Sequence, residues 1–187
     1  PLRTYSVYKK LKKKLSGKDF QMSVCGSQWG LCSNSIHYLD VFCFLKGDNR
    51  INLLNQSFLK DLKKGKRSNM YEFSGEIKFE NFKKNSLELI CLSKKNFFYK
   101  ICFKTKYEHY FVDHINETLE TKNLRNKKNN KEKIKIEKQS NLTHLQVNQI
   151  LDYNKCQLTD FKSSFKMQTV LIRFFLKHYK KHLNSNL

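Results

Sequence analysis

The chain has 187 residues, 39% hydrophobic and 13% aromatic, enough for one domain of ordinary size with its own core. Its 37 Lys and Arg against 16 Asp and Glu give a net charge of +21, which points to a polyanionic partner. No apolar run approaches the roughly 18 to 20 residues that a membrane span needs, and six cysteines at irregular spacings argue for a reducing compartment rather than a disulfide framework. The chain has no Ala, one Pro, 32 Lys and 18 Asn, a usage that follows AT-rich codons rather than any structural demand.

The charge is unevenly placed. Residues 1–18 carry +7, residues 60–69 carry +4, residues 122–138 carry +6 and residues 161–187 carry +6, while the segments between them are nearly neutral. Basic tracts around a neutral body suit contact with a phosphate backbone.

In chain order, residues 2–15 set Leu2, Tyr5, Tyr8, Leu11 and Leu15 at helical spacing among lysines and predict a basic arm that becomes helical on its partner. Residues 24–43, VCGSQWGLCSNSIHYLDVFC, resemble a stretched zinc knuckle with Cys25, Cys32, His37 and Cys43 as ligands. Geometry argues against it. On a strand His37 and Cys43 stand roughly 20 Å apart, and on a helix they are rotated by about 240° and separated by about 9 Å. The β-branched and aromatic run 36–46 reads as a strand with Cys43 on its buried face. That leaves Trp29 on the flexible loop Gly26–Gly30 as a contact for RNA or a neighbour. The turn at 47–49 precedes a predicted helix over 50–63, with Ile51, Leu54, Phe58, Leu59 and Leu62 on one face.

Four strands follow, over 70–82, 86–93, 96–104 and 107–112, most clearly where Phe97, Tyr99, Ile101 and Phe103 alternate with Lys100, Cys102 and Lys104. Connections at 83–85 and 94–96 suit hairpins, and Gly75 marks a bulge or a break. Residues 116–140 hold mostly Lys, Asn and Glu and predict a disordered or extended insertion. A short helix over 141–151 follows. Then Phe161, Phe165, Leu171, Ile172, Phe175, Tyr179 and Leu183 predict an amphipathic helix of about six turns.

The expected fold is α+β: an antiparallel four-stranded meander packed with helices, plus basic extensions and a long C-terminal helix. Its divisions are a basic arm (1–18), an α+β core (19–115), the basic insertion (116–140) and a helical region (141–187). No nucleophile motif, phosphate-binding Gly-rich loop or zinc-protease motif is present. His178 with His182, and Asp113 beside His114, lack the partners that a metal site or acid–base pair needs. The chain is accordingly expected to be no enzyme, with no cofactor, no metal and no small-molecule substrate.

In composition and charge layout the chain resembles ribosomal proteins encoded in AT-rich mitochondrial genomes. The resemblance implies a structural component of a mitochondrial ribosome in the matrix, bound to ribosomal RNA and neighbouring ribosomal proteins. Lys9, Lys10, Lys12, Lys13, Lys14, Lys63, Lys64, Lys66, Arg67, Lys127, Lys128, Lys131, Lys133, Arg173, Lys177, Lys180 and Lys181 would contact phosphates. Two alternatives stand beside it: an accessory subunit of a mitochondrial respiratory complex, docked through the terminal helix, and a metal-dependent RNA-binding module.

Overall fold

The computed structural model describes residues 2–65, 70–81, 85–93 and 98–184. Leu2–Thr4 make one 3-10 turn, and Ser6–Leu15 form the first helix (α1), with Val7, Tyr8, Leu11 and Leu15 buried at helical spacing. The expected basic arm is thus a packed helix, because its apolar stripe finds a partner within the chain. Gln21–Ser27 form strand β1.

Leu31–Lys46 are a helix (α2), where the sequence reading expected a strand. Leu31, Ser35, Tyr38, Leu39, Val41, Phe42, Cys43 and Leu45 are all buried, so this helix is apolar around most of its circumference and periodicity alone reads it poorly. Its end is set by Gly47, which adopts φ 71° and returns its N–H to the Cys43 carbonyl at 2.8 Å. That left-handed closure favours a residue without Cβ.

The expected helix over 50–63 is replaced by two strands, β2 (Asn52–Leu53) and β3 (Phe58–Lys64). Both pair with one edge of β4 (Tyr71–Glu80). The pairing slips between Leu59 and Leu62, which oppose Gly75 and Phe73, so three steps on β3 match two on β4. That bulge spaces the inward leucines by three residues and imitates a helical period. Gly75, with φ 140°, lies opposite, and a Cβ there would meet the Phe58 carbonyl oxygen at 2.4 Å.

The remaining strands are β5 (Ser86–Leu92), β6 (Tyr99–Lys104), β7 (Glu108–Asp113), β8 (Thr118–Asn123) and β9 (Asn129–Lys133). All nine form one mixed sheet in the order β2-β4-β5-β1-β6-β7-β8-β9, with β3 also on β4. This corrects the four-stranded antiparallel meander. The strands expected at 70–82, 86–93, 96–104 and 107–112 are present with shifted ends, but β1 inserts between β5 and β6, parallel to the first and antiparallel to the second. The basic stretch after residue 116 contributes β8 and β9. Their backbones complete the ladder from β7 while their lysines stay in water, as charged edge strands do. The connections at 83–85 and 94–96, with Phe97, Lys66 and Arg67, lie wholly or partly outside the described residues.

One face of the sheet buries Met22, Val24, Ile77, Phe79, Leu87, Leu89, Ile101, Phe103, Tyr110, Val112 and Leu119. Each such side chain contributes about 1.5–3 kcal/mol. α1 and α2 cover this face: Tyr8 meets the Phe103 ring edge-on and Phe20 meets Phe42. The opposite face carries charge, with Lys78 bonded to both Glu76 and Glu88. Helix α3 (Gln139–Tyr153) buries little beyond Leu142, and the 24-residue α4 (Phe161–Asn184) packs on α2 through Met167, Leu171 and Phe174.

Candidate functional site

Ser33, His37, Asp40 and Phe44 fall at i, i+4, i+7 and i+11 on α2 and therefore share one stripe, turned away from the sheet. Segments distant in sequence close over it. Arg3 sets Nε 3.1 Å from Asp40 Oδ2, a charge contact, and Nη2 donates to the Asp40 carbonyl at 3.4 Å. The Thr159 hydroxyl donates to the Asp40 carboxylate from the segment ahead of α4. The Arg3 and Asp40 side chains are 11% and 14% exposed, the least exposed ion pair among the described residues, so their attraction is little screened. Arg3 and Lys12 also lie over the Phe44 ring, 5.1 and 4.1 Å from its centroid.

His37 is half-buried beside this pair. Burial pushes its imidazole pKa below the ordinary 6.5, and the Asp40 carboxylate opposes that shift only in part. A neutral imidazole one helical turn from a held carboxylate can take a proton from a hydroxyl and be stabilised once charged.

A second polar array lies at the adjoining strand ends. The buried Tyr8 hydroxyl is hydrogen-bonded to His114 Nε2 at 2.9 Å, the Tyr99 hydroxyl donates to that of Tyr38, and Trp29 packs against both Tyr38 and Tyr99. Burial drives the His114 pKa down to about 4. Trp29 is 8% exposed and donates its indole N–H to the Ile90 carbonyl at 2.8 Å. It is a core residue, and the turn expected to present it to RNA instead folds it under α2. Asp113 accepts bonds from Ile115 N, Asn116 N and Asn116 Nδ2, so its carboxylate shapes a turn while His114 serves Tyr8.

The cysteines do not assemble a metal site. Among the described residues no group of three His, Cys, Asp or Glu could hold an ion. Cys43 and Cys32 are pushed up to about 12, chiefly by burial, which leaves both as neutral thiols. The His178 ring lies tilted against Phe174, with centroids 4.4 Å apart, and bonds to the Phe174 carbonyl.

The described lysines expected to contact phosphates are not gathered into one site. Lys9, Lys10, Lys12 and Lys13 line the outer face of α1, Lys63 and Lys64 lie on β3, Lys127, Lys128, Lys131 and Lys133 on or beside β9, and Arg173, Lys177, Lys180 and Lys181 on α4. Several serve the fold itself: Lys10 pairs with Glu132, and Lys14 lies over the Tyr110 ring.

Sequence reasoning weighed His37 only as a metal ligand and passed over Arg3 and Asp40 as site residues. The available signal was the i, i+3 spacing of His37 and Asp40 within a run closed by Gly47, which a strand reading conceals.

No protein-family model matches the chain, and no curated protein matches its sequence. Solved structures do match its fold. A dehydrogenase of Clostridium difficile superposes with TM-score 0.63 at 12% identity, covering 94% of this chain and 60% of its own. A protein described as an NADPH-dependent oxidoreductase of Desulfitobacterium hafniense gives 0.67 at 12%, covering 91% and 58%. A UDP-N-acetylglucosamine 3-dehydrogenase of Acidithiobacillus ferrooxidans gives 0.65 at 10%, covering 91% and 57%. Two further oxidoreductases match similarly.

The chain thus spans about three-fifths of the length of these structures, and at such identity the likeness is one of fold. It overturns the expected ribosomal component and both alternatives to it, the respiratory-complex subunit and the RNA-binding module. With them go the expectation of no enzyme and the pairing of ribosomal RNA and ribosomal proteins as partners with no small-molecule substrate. The described basic tracts lie on the surface of the helices and of the nine-stranded mixed sheet.

A dinucleotide cradle, as such enzymes imply, would need a Gly-rich strand-to-helix turn with the pyrophosphate on the helix N-terminus. The strand–helix unit β1–α2, whose strand runs parallel to β5, does not fit it. Glu72 already occupies the start of α2, accepting from Cys32 N at 2.7 Å and Ser33 N at 3.2 Å, and the turn is filled by Trp29. A phosphate at that position would face a carboxylate.

Proposed function

We propose that this chain forms the substrate-side part of a nicotinamide-dependent oxidoreductase acting on a polar, hydroxyl-bearing substrate. The observation that carries the proposal is the fold likeness to dehydrogenases and other oxidoreductases over more than nine-tenths of the chain, at TM-scores of 0.63 to 0.67 for three of them. The outward stripe of α2 supplies chemistry suited to that role. His37, neutral at pH 7, accepts the proton of a substrate hydroxyl, and Asp40 steadies the resulting imidazolium. Arg3 and Thr159 position Asp40. The nicotinamide cofactor belongs on a surface other than the β1–α2 turn.

The test uses the protein purified from its own cells, assayed for reduction of NAD and NADP at 340 nm against a panel of polyols, sugars and sugar nucleotides. At least one substrate is expected to turn over. His37→Asn should lower kcat by about 100-fold or more, the span that loss of a proton acceptor costs, with the thermal midpoint unchanged. No turnover across the panel, together with no saturable NADPH binding, overturns the proposal.

A further inference from the structure

We infer that the two hairpin tips joining β6 to β7 and β8 to β9 dock together on an anionic phospholipid bilayer, independently of the reaction proposed above. Antiparallel pairing of β7 with β8 sets Glu108 opposite Asn123, so both turns leave the same end of the sheet. Leu124 N donates to the Tyr107 carbonyl at 2.8 Å and ties one tip to the other. The second tip is shaped by asparagine. Asn123 Oδ1 accepts from Arg125 N at 2.9 Å and Asn126 N at 3.3 Å, and Asn126 Oδ1 accepts from Lys128 N at 3.0 Å. A surface fixed in this way loses little freedom on docking.

Each tip presents one large side chain to water, Tyr107 at 38% and Leu124 at 49% exposure. Around them stand Lys104, Lys106, Arg125, Lys127 and Lys128, all exposed. Residues 104–108 and 123–128 hold these five bases against one acid, Glu108, which is already bonded to Lys18 at 2.6 Å and to the Tyr110 hydroxyl at 2.8 Å. The platform is therefore cationic with two apolar points. Its chemistry selects a bilayer over nucleic acid. The Arg125 guanidinium lies 3.6 Å from the centre of the Tyr107 ring, so that face is closed to a stacking base. Leu124 offers a base neither a hydrogen bond nor a π face. At a headgroup boundary, by contrast, a leucine enters the acyl region, a tyrosine sits at the interface and lysines reach back to phosphates. Bases spread over two turns suit a surface of many headgroups rather than one small anion.

The test mixes the full gene product with vesicles of phosphatidylcholine, with or without phosphatidylglycerol, in about 0.1 M salt, where charges beyond about 10 Å are screened. The protein is expected to sediment with the vesicles that contain phosphatidylglycerol and to stay in solution with phosphatidylcholine alone. Each basic side chain near an anionic leaflet strengthens binding by roughly fivefold. The quadruple variant Lys104→Gln, Lys106→Gln, Lys127→Gln, Lys128→Gln should therefore bind at least about 100-fold more weakly. The same charge can be removed from α4, which packs beside β3 at the opposite edge of the sheet. That variant, Arg173→Gln, Lys177→Gln, Lys180→Gln, Lys181→Gln, should change binding by less than about threefold. Leu124→Trp reports insertion, because the native Trp29 is buried. With phosphatidylglycerol present, the introduced indole should shift to shorter wavelength and be quenched by phosphatidylcholine brominated in its acyl chains. Equal weakening by the two quadruple variants assigns the binding to net charge and overturns the inference. So do absence of sedimentation from folded protein, an indole that neither shifts nor is quenched, and a shift produced by single-stranded RNA but not by vesicles.

Discussion

Among single residues, His114 makes the most direct physical commitment. Its Nε2 is hydrogen-bonded to the hydroxyl of Tyr8, a side chain with no solvent exposure, in surroundings whose burial favours the neutral imidazole. Burial lowers the His114 pKa from 6.5 to about 4. The unfolded chain therefore binds a proton near pH 6.5 that the folded chain refuses until about pH 4. Stability present above pH 6.5 is lost as pH falls through that window, at about 1.4 kcal/mol per unit. Asp61, Asp113 and Asp160 have pKa values held below the ordinary carboxylate range, so their own losses come at lower pH. Urea unfolding between pH 6.5 and 5 is expected to show a loss of about 2 kcal/mol. His114→Gln, which keeps a hydrogen-bonding partner for Tyr8 but does not titrate, should retain most of that loss as stability. Identical slopes in the two proteins would assign the drop to other groups, His37 first among them.

At the scale of elements, Gly75 is where a sequence irregularity and a structural one coincide. It sits at φ 140° against the bulge of β3, with the Phe58 carbonyl oxygen 2.4 Å and the Leu59 Cα 2.8 Å from where a Cβ would be. Both atoms are backbone, so neither can swing aside. Gly75→Ala is expected to destabilise by roughly 3 kcal/mol, combining overpacking with backbone strain. Gly47→Ala, with φ 71° but open space around it, should cost only about 1 kcal/mol. Urea midpoints of the two variants check the ordering. Elements with one buried face and a clean period were legible in sequence: the alternation of Ile101 and Phe103 with Lys100 and Lys104 gave β6, and the stripe from Phe161 to Leu183 gave α4. The misread elements each break a period for a physical reason. α2 is buried around more than half of its circumference, the β3 bulge spaces its leucines like a helix, and β8 and β9 are held by backbone pairing with few apolar side chains.

At the scale of the whole molecule, the sheet order was out of reach because the parallel register of β1 on β5 joins residues 65 apart, such as Gln21 with Ser86. The candidate site was hidden for the same reason. His37 was visible as a residue, but Arg3, Asp40 and Thr159 converge only once α1, α2 and the approach to α4 are stacked. Charge is the other whole-molecule property, and it confuses the most obvious binding experiment. A chain at +21 attracts any polyanion at low ionic strength, so a weak NADPH signal by itself says nothing about a cradle. Exposed charges are screened beyond about 10 Å at 0.1 M salt, whereas a built phosphate site with aligned N–H donors is screened much less. Because Glu72 closes the start of α2, calorimetric titration of the 187 residues should give equal, weak responses to NADPH, ATP and inorganic pyrophosphate. All three should vanish together by roughly 0.3 M salt, where the screening length falls to about 6 Å. A response that persists in salt and prefers NADPH to pyrophosphate would place a dinucleotide site on the described fold and refute the closed β1–α2 turn.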